Sequence, residues 1–243
     1  MERLRLRWTA AGINTHVVVG GSESVHQQLA KANDAEWISV ENSPLGNKFN
    51  TVMERASLWQ PDYFCIMGSD DFLSDRALDM YVMYLFQGYA HIGMRGSYFY
   101  DVASQEAASF RCYPLGHTAF GWPIGSGRMI HNSIVEPLKF RPWSDHRYKS
   151  MDANFMQRVA PPQAKMIDLS DEVVALDVKT ATNIWSYADL VKVFPKIEPV
   201  EDLNKTFKSL AEWPAISRLR IEMEPKFASR NPIEKGRLRL VNG

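Results

Sequence analysis

Two adjacent carboxylates, Asp70 and Asp71, follow an apolar run in the segment CIMGSDDFLS, residues 65–74. Ionised side chains between apolar residues are costly unless a cation or water meets them. Hard divalent cations such as Mg²⁺ and Mn²⁺ take oxygen ligands and often share carboxylates with the phosphates of a substrate. The pair is therefore a candidate metal site. The alternative is a turn in which Asp70 caps the backbone and Asp71 is solvated.

The elements that must position this pair alternate between strands and helices. Apolar, β-branched runs predict strands at 13–21, 36–40 and 62–68. Helices are predicted between them and after the acidic pair, with Ser22 and Ser74 as N-caps. This alternation predicts a parallel sheet covered by helices, and ligands of such sheets bind at the carboxyl ends of strands. Asp70 and Asp71 stand at such an end.

The rest of the chain follows a less regular pattern. A helical face precedes the first strand, where a doubly wound fold normally opens with a strand, so that strand is expected to be absent. Residues 89–131 predict shorter strands in mixed or antiparallel pairing, followed by helices near 133–139 and 146–159. Two more strands are predicted in KMIDL and EVVALDV, and the tail after Pro195 predicts a peripheral arm.

Composition excludes several classes of protein. Lys plus Arg and Asp plus Glu number 28 each, which gives no argument for a nucleic-acid or membrane partner from overall charge. The two cysteines have neither disulfide nor zinc spacing. No apolar run reaches transmembrane length and no signal-peptide pattern opens the chain. A reducing, cytoplasmic location is expected.

Three segments, VVVGGSES, NSPLGNKFN and PDYFCIMGSDDFLS, resemble in order and separation the nucleotide-binding half of GT-A-fold glycosyltransferases, especially the family-2-like enzymes. The second segment carries an N-x-x-x-G-x-K-x-N-like pattern and the third an acidic signature of the DXD type. The resemblance covers about residues 1–180. It implies an α/β, GT-A-like fold with a mostly parallel sheet, flanking helices and a mixed acceptor-side half. The implied catalytic domain spans 1–195, with a nucleotide-sugar-binding half at 1–88 and an acceptor half at 89–195, and 196–243 form the arm.

The resemblance also implies roles for individual residues near the diphosphate of a nucleotide-sugar. Asp71 would bind a metal that bridges the two phosphates, and Asp70 would bind the ribose or assist the metal. Ser69 stands where many relatives have a first Asp. Asp177 and Lys179 are candidates for closing on the diphosphate, the former through the metal and the latter by charge; ordinary strand-end residues are the alternative.

Further positions are carried by the same resemblance. Lys48 would place a positive charge next to the diphosphate, whereas most helical lysines are solvated. Ser22 and Glu23 resemble the base-binding edge, although glycines at 20 and 21 replace the usual acidic residue. Arg128, within GSGRMI, would contact phosphate or fix a loop. Three residues lie on segments that would line the acceptor cleft, with core packing as the alternative: His117, Trp122 and Trp143.

Asp152 resembles the family's catalytic base. Sugar transfer with inversion needs a carboxylate that takes the proton of the acceptor hydroxyl. The alternative is a structural role, because Ser150 can cap the helix and an Asp in the first turn is favoured by the helix dipole.

The expected function is an inverting glycosyltransferase that uses a nucleotide-diphosphate sugar, expected to be UDP-linked, with Mn²⁺ or Mg²⁺. The acceptor is left open among a glycan, a lipid-linked sugar, a protein, a small molecule and a modified nucleic-acid base. A nucleotidyltransferase would need a glycine- and basic-rich triphosphate loop, and none is found. A nucleotide-sugar-binding module without activity is the third alternative, favoured by Ser69 and by the glycines at 20 and 21.

Overall fold

The structure is a computed structural model that describes residues 2–159, 163–180, 183, 186–193 and 197–219. The described residues form two compact units, each assembled from separate stretches of chain. The first unit contains the residues up to Met67, Leu78–Arg95 and Cys112–Ile167. The second contains Gly68–Ala77, Gly96–Arg111 and the described residues from Asp168 on.

Helices and strands alternate along the first part of the chain and become shorter later. The helices are α1 (Glu2–Ala10), α2 (Ser24–Ala32), α3 (Leu45–Ser57), α4 (Asp75–Phe86), α5 (Asn132–Val135), α6 (Met151–Val159), α7 (Tyr187–Val193), α8 (Leu203–Thr206) and α9 (Trp213–Ile216), with a 3₁₀ turn at Glu136–Leu138. The strands are β1 (Val18–Gly21), β2 (Glu36–Ser39), β3 (Tyr63–Ile66), β4 (Asp71–Leu73), β5 (His91–Met94), β6 (Ser97–Asp101), β7 (Ala107–Phe110), β8 (Arg128–His131), β9 (Lys165–Ile167), β10 (Ala175–Lys179) and β11 (Ile197–Pro199).

The first unit contains two sheets. Strands β1 and β2 form a parallel pair, as their sequence pattern predicts. A second sheet has the order β3-β8-β5-β9, in which β8 is antiparallel to both neighbours and β5 and β9 are parallel. The prediction that residues 62–68 form the third strand of a parallel sheet with β1 and β2 is therefore wrong. The apolar run of β3 finds its hydrogen-bond partner in β8, which lies far along the chain, instead of adding to β1 and β2.

The core of the first unit lies between α3, α6 and strands β3 and β8. Its buried members are Met53, Phe64, Ile130, Val135, Trp143, Phe155 and Met156. Trp143 is only 3% exposed, so its expected place in an acceptor cleft is corrected to core packing. Asn50, from the predicted motif, is fully buried and binds the backbone of Trp143 through both its amide nitrogen and its oxygen. A Cβ at Gly46 would overlap the carbonyl oxygen of Ser144.

The second unit is built on a five-stranded sheet with the order β11-β7-β6-β10-β4. Strand β10 is parallel to β6 and antiparallel to β4. Apolar side chains of β6 and β10 pack with those of α9 and of the segment before it, including Tyr100, Leu176, Phe207 and Trp213. The sheet fixes both the acidic pair and the strand that carries Asp177.

The two predicted helix caps have different outcomes. The hydroxyl of Ser74 accepts a hydrogen bond from the backbone N–H of Ala77 at 3.4 Å, so its capping role in α4 is confirmed. Ser22 does not cap α2, because Glu23 occupies the N-cap position and makes no side-chain cap bond. The prediction of an α/β protein is confirmed as a mixed α/β structure with parallel and antiparallel strands and flanking helices.

None of the helices formed by the described residues combines the length and the apolar character that a membrane-spanning segment needs. The predicted arm at 196–243 is described only as far as residue 219.

Candidate functional site

Strand pairing in the second unit brings three predicted acidic residues together. In the antiparallel register of β4 and β10, Asp71 lies directly opposite Asp177. The backbone N–H of Val178 donates to the carbonyl oxygen of Asp70 at 2.9 Å, which holds the preceding residue against the same strand. One carboxylate oxygen from each of Asp70, Asp71 and Asp177 lies within 4.8 Å of the other two.

Neighbouring donors fix two of these carboxylates. The backbone N–H of Gly68 donates to Oδ2 of Asp71 at 2.6 Å. The amide nitrogen of Asn183 donates to Oδ2 of Asp70, while the amide oxygen of Asn183 accepts from the backbone N–H of Thr180 at 2.5 Å. A Cβ at Gly68 would lie 2.9 Å from Oδ2 of Asp71, so the glycine leaves room for the carboxylate to approach the backbone.

The surroundings of Asp177 in the cluster raise its pKa. Burial raises the pKa of Asp177 to about 7, Lys179 opposes this rise, and the charges of Asp71 and Asp70 add to it. Nζ of Lys179 lies 2.5 Å from Oδ2 of Asp177, and it also lies 5.5 Å from the centre of the Phe99 ring. The second oxygen of Asp177, Oδ1, is buried and has no hydrogen-bond partner among the residues that the structure describes. The cluster thus has three acidic side chains, one buried lysine and an oxygen whose lone pairs are unsatisfied.

This arrangement fits a hard divalent cation. Like charges directly opposite on neighbouring strands are destabilising, and a buried acceptor without a donor is unfavourable. A cation with oxygen ligands would relieve both. The three predicted metal ligands are brought together by the fold, and Ser69 is exposed in the turn before them.

Asp152, in the first unit, has a different environment. It lies in the first turn of α6, and its Oδ2 accepts from the hydroxyl of Tyr113 at 2.5 Å and from the backbone N–H of Gly125 at 3.0 Å. Nη2 of Arg128 lies 3.2 Å from its Oδ1. These contacts come from outside α6, so they go beyond the predicted alternative of a first-turn dipole effect. The side chain is 22% exposed and remains open to a ligand.

Arg128 and Tyr113 are buried around this carboxylate. Arg128 is 1% exposed, donates to the carbonyl oxygen of Pro123 at 3.0 Å and lies over the ring of Phe155 at 4.7 Å. It therefore fixes the loop and Asp152, which is the second of the two roles expected for it; a contact with phosphate stays a prediction. Burial raises the pKa of the Tyr113 hydroxyl well above its usual range, and Asp152 raises it further.

A separate group forms at the ends of the parallel strands β1 and β2. Nζ of Lys48 donates to Oδ1 of Asn42 at 2.8 Å, and the amide nitrogen of Asn42 donates to the hydroxyl of Ser22 at 3.3 Å. Glu23 is exposed next to Ser22. A Cβ at Gly20 would overlap Val52 of α3, so no acidic side chain fits there without a shift of the helix. Three of the predicted nucleotide-binding residues, Ser22, Glu23 and Lys48, thus lie on one hydrogen-bonded edge of the first unit.

Two residues that were expected near an acceptor cleft contact other aromatic rings. His117 stacks on Tyr113, with ring centres 4.6 Å apart, and Trp122 is half-buried beside His91. Sequence reasoning missed Tyr113 and Asn183. Asn183 follows a strand end, as Asp70 does, which was an available signal. Nothing in the sequence distinguishes Tyr113 from an ordinary core aromatic.

Comparisons with known proteins do not show a family for this chain. No protein-family model matches the chain. No solved structure matches it either. Among curated proteins, it is similar to a pentatricopeptide repeat-containing protein of Arabidopsis thaliana, at 25% identity over 156 residues that cover 61% of this chain and 20% of that protein. The chain spans about a fifth of the length of this relative. The likeness shows no family, and the sequence itself carries no internal repeat.

Proposed function

We propose that the chain is a metal-dependent, inverting glycosyltransferase of the GT-A type that uses a nucleotide-diphosphate sugar, with UDP as the expected carrier. The observation that carries the proposal is the cluster of Asp70, Asp71 and Asp177, in which a buried oxygen of Asp177 has no hydrogen-bond partner within the described part of the chain. The N-x-x-x-G-x-K-x-N-like segment, which resembles that family and lies outside the cluster, supports it independently.

The three carboxylates are the residues that would hold Mn²⁺ or Mg²⁺. When bound, the ion would offset the negative charge that develops on the leaving diphosphate. Asn183 keeps Asp70 oriented, and the backbone N–H of Gly68 does the same for Asp71. Lys179, paired with Asp177, adds a fixed positive charge to the cluster.

Asp152 is the proposed base. Its Oδ2 is already held by the Tyr113 hydroxyl and the Gly125 N–H, whereas Oδ1 has one contact, with Arg128. We assign to Oδ1 the proton of the attacking acceptor hydroxyl, because it keeps more free acceptor capacity. Ser22, Asn42 and Lys48 supply hydrogen-bonding groups for the donor nucleotide.

The test is calorimetric titration of UDP and of GDP, each with and without Mn²⁺. We expect one of the two nucleotides to bind only when Mn²⁺ is present. In Asp71→Asn, an isosteric change that removes a ligand charge, the affinity for that nucleotide with Mn²⁺ should fall roughly 100-fold. Asp171→Asn, at an exposed carboxylate of the second unit, is the matched control and should bind as the wild type does.

Absence of metal-dependent nucleotide binding in the folded wild-type chain would refute the proposal. Binding that is not accompanied by Mn²⁺-dependent release of UDP from UDP-sugars, across a panel of acceptors, would instead support a binding module. Ser69, in the place of the first acidic residue, is the observation that favours this second candidate.

A further inference from the structure

The first unit contains a pocket that the proposed chemistry does not use. It has a volume of about 520 Å³ and lies between the segment that follows the 3₁₀ turn and the end of α6. Three permanently cationic side chains line it, Lys139, Arg141 and Arg158, together with a single carboxylate, Asp145. The whole chain has equal numbers of acidic and basic residues, so this local excess of positive charge is a property of the pocket.

Arg141 is held rigidly in this pocket. Its guanidinium binds Glu54, donates to Oδ1 of Asp145 at 2.6 Å and lies 3.4 Å from Oδ1 of Asn47. A guanidinium has five N–H donors, so these three bonds leave two for a ligand. The group is therefore pre-organised, and a ligand would not have to immobilise it.

Asp145 is a fixed part of the wall. A hydrogen bond from Asn50 lowers the pKa of Asp145, burial opposes this, and Arg141 lowers the pKa further. Asn50 donates to it at 2.7 Å and is itself anchored to the backbone of Trp143. The carboxylate is thus held by Arg141 and by Asn50 of α3, and although its charge also interacts with that of Arg158, one carboxylate does not balance the three cations that line the pocket.

Lys139 and Arg158 supply the uncompensated charge. Both are exposed, and neither has an ion-pair partner among the residues that the structure describes. The charge of Arg158 reaches Asp145, which places it on the same pocket as Arg141. Lys139 is held in the left-handed region, with φ of 52°, and the next residue, Phe140, has φ of 59° and packs against Phe64. Non-glycine residues rarely adopt this backbone conformation, and here it fixes the position from which the side chain of Lys139 extends.

We propose that this pocket binds the phosphoryl group of a small phosphomonoester. Two planar guanidiniums, Arg141 and Arg158, and the ammonium of Lys139 are groups that bind phosphate oxygens well. The volume is that of a small-molecule site and would hold a group the size of a monosaccharide beside the phosphate. The site is independent of the acidic cluster and of the glycosyltransferase proposal.

Titration calorimetry with glucose 6-phosphate and with inorganic phosphate tests this, in EDTA and at constant ionic strength. We expect saturable binding of both, and no binding of glucose. The variant Lys139→Gln/Arg158→Gln should weaken glucose 6-phosphate binding about tenfold or more. The control Lys31→Gln/Arg76→Gln, which removes two exposed cations elsewhere, should change it less than about twofold.

The proposal fails if neither phosphate compound binds saturably, or if the double variant binds as tightly as its control. It also fails if a short oligothymidylate binds in a manner that depends on Lys139 and Arg158 while glucose 6-phosphate does not, because the pocket would then be part of a nucleic-acid surface. Asp71→Asn should leave glucose 6-phosphate binding unchanged, which separates this site from the proposed metal site.

Discussion

Two partly buried acidic sites in this protein differ in how the charges of their carboxylates are compensated. Asp152, in the first unit, is surrounded by donors: a hydroxyl, a backbone N–H and a buried arginine. The cluster of Asp70, Asp71 and Asp177, in the second unit, places three carboxylates against one another with one buried lysine and an unsatisfied oxygen. Both oxygens of Asp152 thus contact donors, whereas the cluster keeps one buried oxygen without a donor among the described residues.

The difference shows how to separate a carboxylate that is held by hydrogen-bond donors from a group of carboxylates that repel one another. Removing a carboxylate whose charge is compensated leaves a buried opposite charge, which is destabilising. Removing one from a group of mutually repelling carboxylates relieves the remaining members. The sign of the change in stability therefore distinguishes the two sites without any substrate.

The largest expected effect is that of Asp152→Ala. It should lower the free energy of unfolding by about 3 kcal/mol, because Arg128 would keep its buried charge and Tyr113 would lose its acceptor. Urea denaturation monitored by circular dichroism measures this. Asp171→Ala, at an exposed position, should change stability by less than about 0.5 kcal/mol. A loss below about 1 kcal/mol at Asp152 would break the contrast between the two sites.

A second effect is expected from pH on the metal-free protein. Because the pKa of Asp177 is about 7 when folded and about 3.9 when unfolded, its protonation stabilises the fold fully below pH ~4. This stabilisation is lost as pH rises through about 7, at no more than roughly 1.4 kcal/mol per pH unit.

We therefore expect that, in EDTA, the free energy of unfolding contains a component that falls between about pH 4 and pH 7. Asp71→Asn should reduce that fall, since it removes one of the charges that raise the pKa of Asp177. Saturating Mn²⁺ should also reduce it in the wild type. Equal pH profiles for wild type and Asp71→Asn would show that the carboxylates do not interact as the structure indicates.

The smallest expected effect is that of Tyr113→Phe, which removes one of the donors to Asp152. A loss of about 1 kcal/mol is expected, as for one buried hydrogen bond. Tyr148→Phe, at a tyrosine that is 59% exposed, is the control and should be neutral. In Asp152→Asn, the effect of Tyr113→Phe should become smaller, because the acceptor has lost its charge. An effect of the same size in both backgrounds would exclude an interaction of Tyr113 with the carboxylate.

Local pattern was enough to locate the acidic pair. Asp70 and Asp71 follow an apolar run, so their place along the chain could be predicted, whereas Asp177 lies within β10 and became a candidate only through the family resemblance. The direct opposition of Asp71 and Asp177 depends on the pairing of β4 with β10, which no local pattern contains. The same limit explains the error on β3, whose apolar run predicts a strand but does not specify β8 as its partner.

The environment of Asp152 was less accessible from sequence. Its position in a helix could be predicted, but its donors come from a loop tyrosine, a glycine and an arginine on other elements. Trp143 was expected in a cleft and lies in the core, because an aromatic residue in a loop has the same local signature in both places. The predicted continuous domain boundaries, near 88 and 195, stay a prediction.

The sheet of the second unit also has a consequence for biosynthesis. The backbone N–H of Val174 donates to the hydroxyl of Ser74 across 100 residues of chain, at the start of the strand that carries Asp177. Long-range pairings of this kind form slowly, because loop closure precedes the contacts that reward it. On a ribosome, the acidic pair would emerge and wait in an unpaired strand until β10 had been made. If the proposed metal site exists, acquisition of metal affinity by a nascent chain would therefore report the pairing of β4 with β10, whereas compaction of the earlier segments would not.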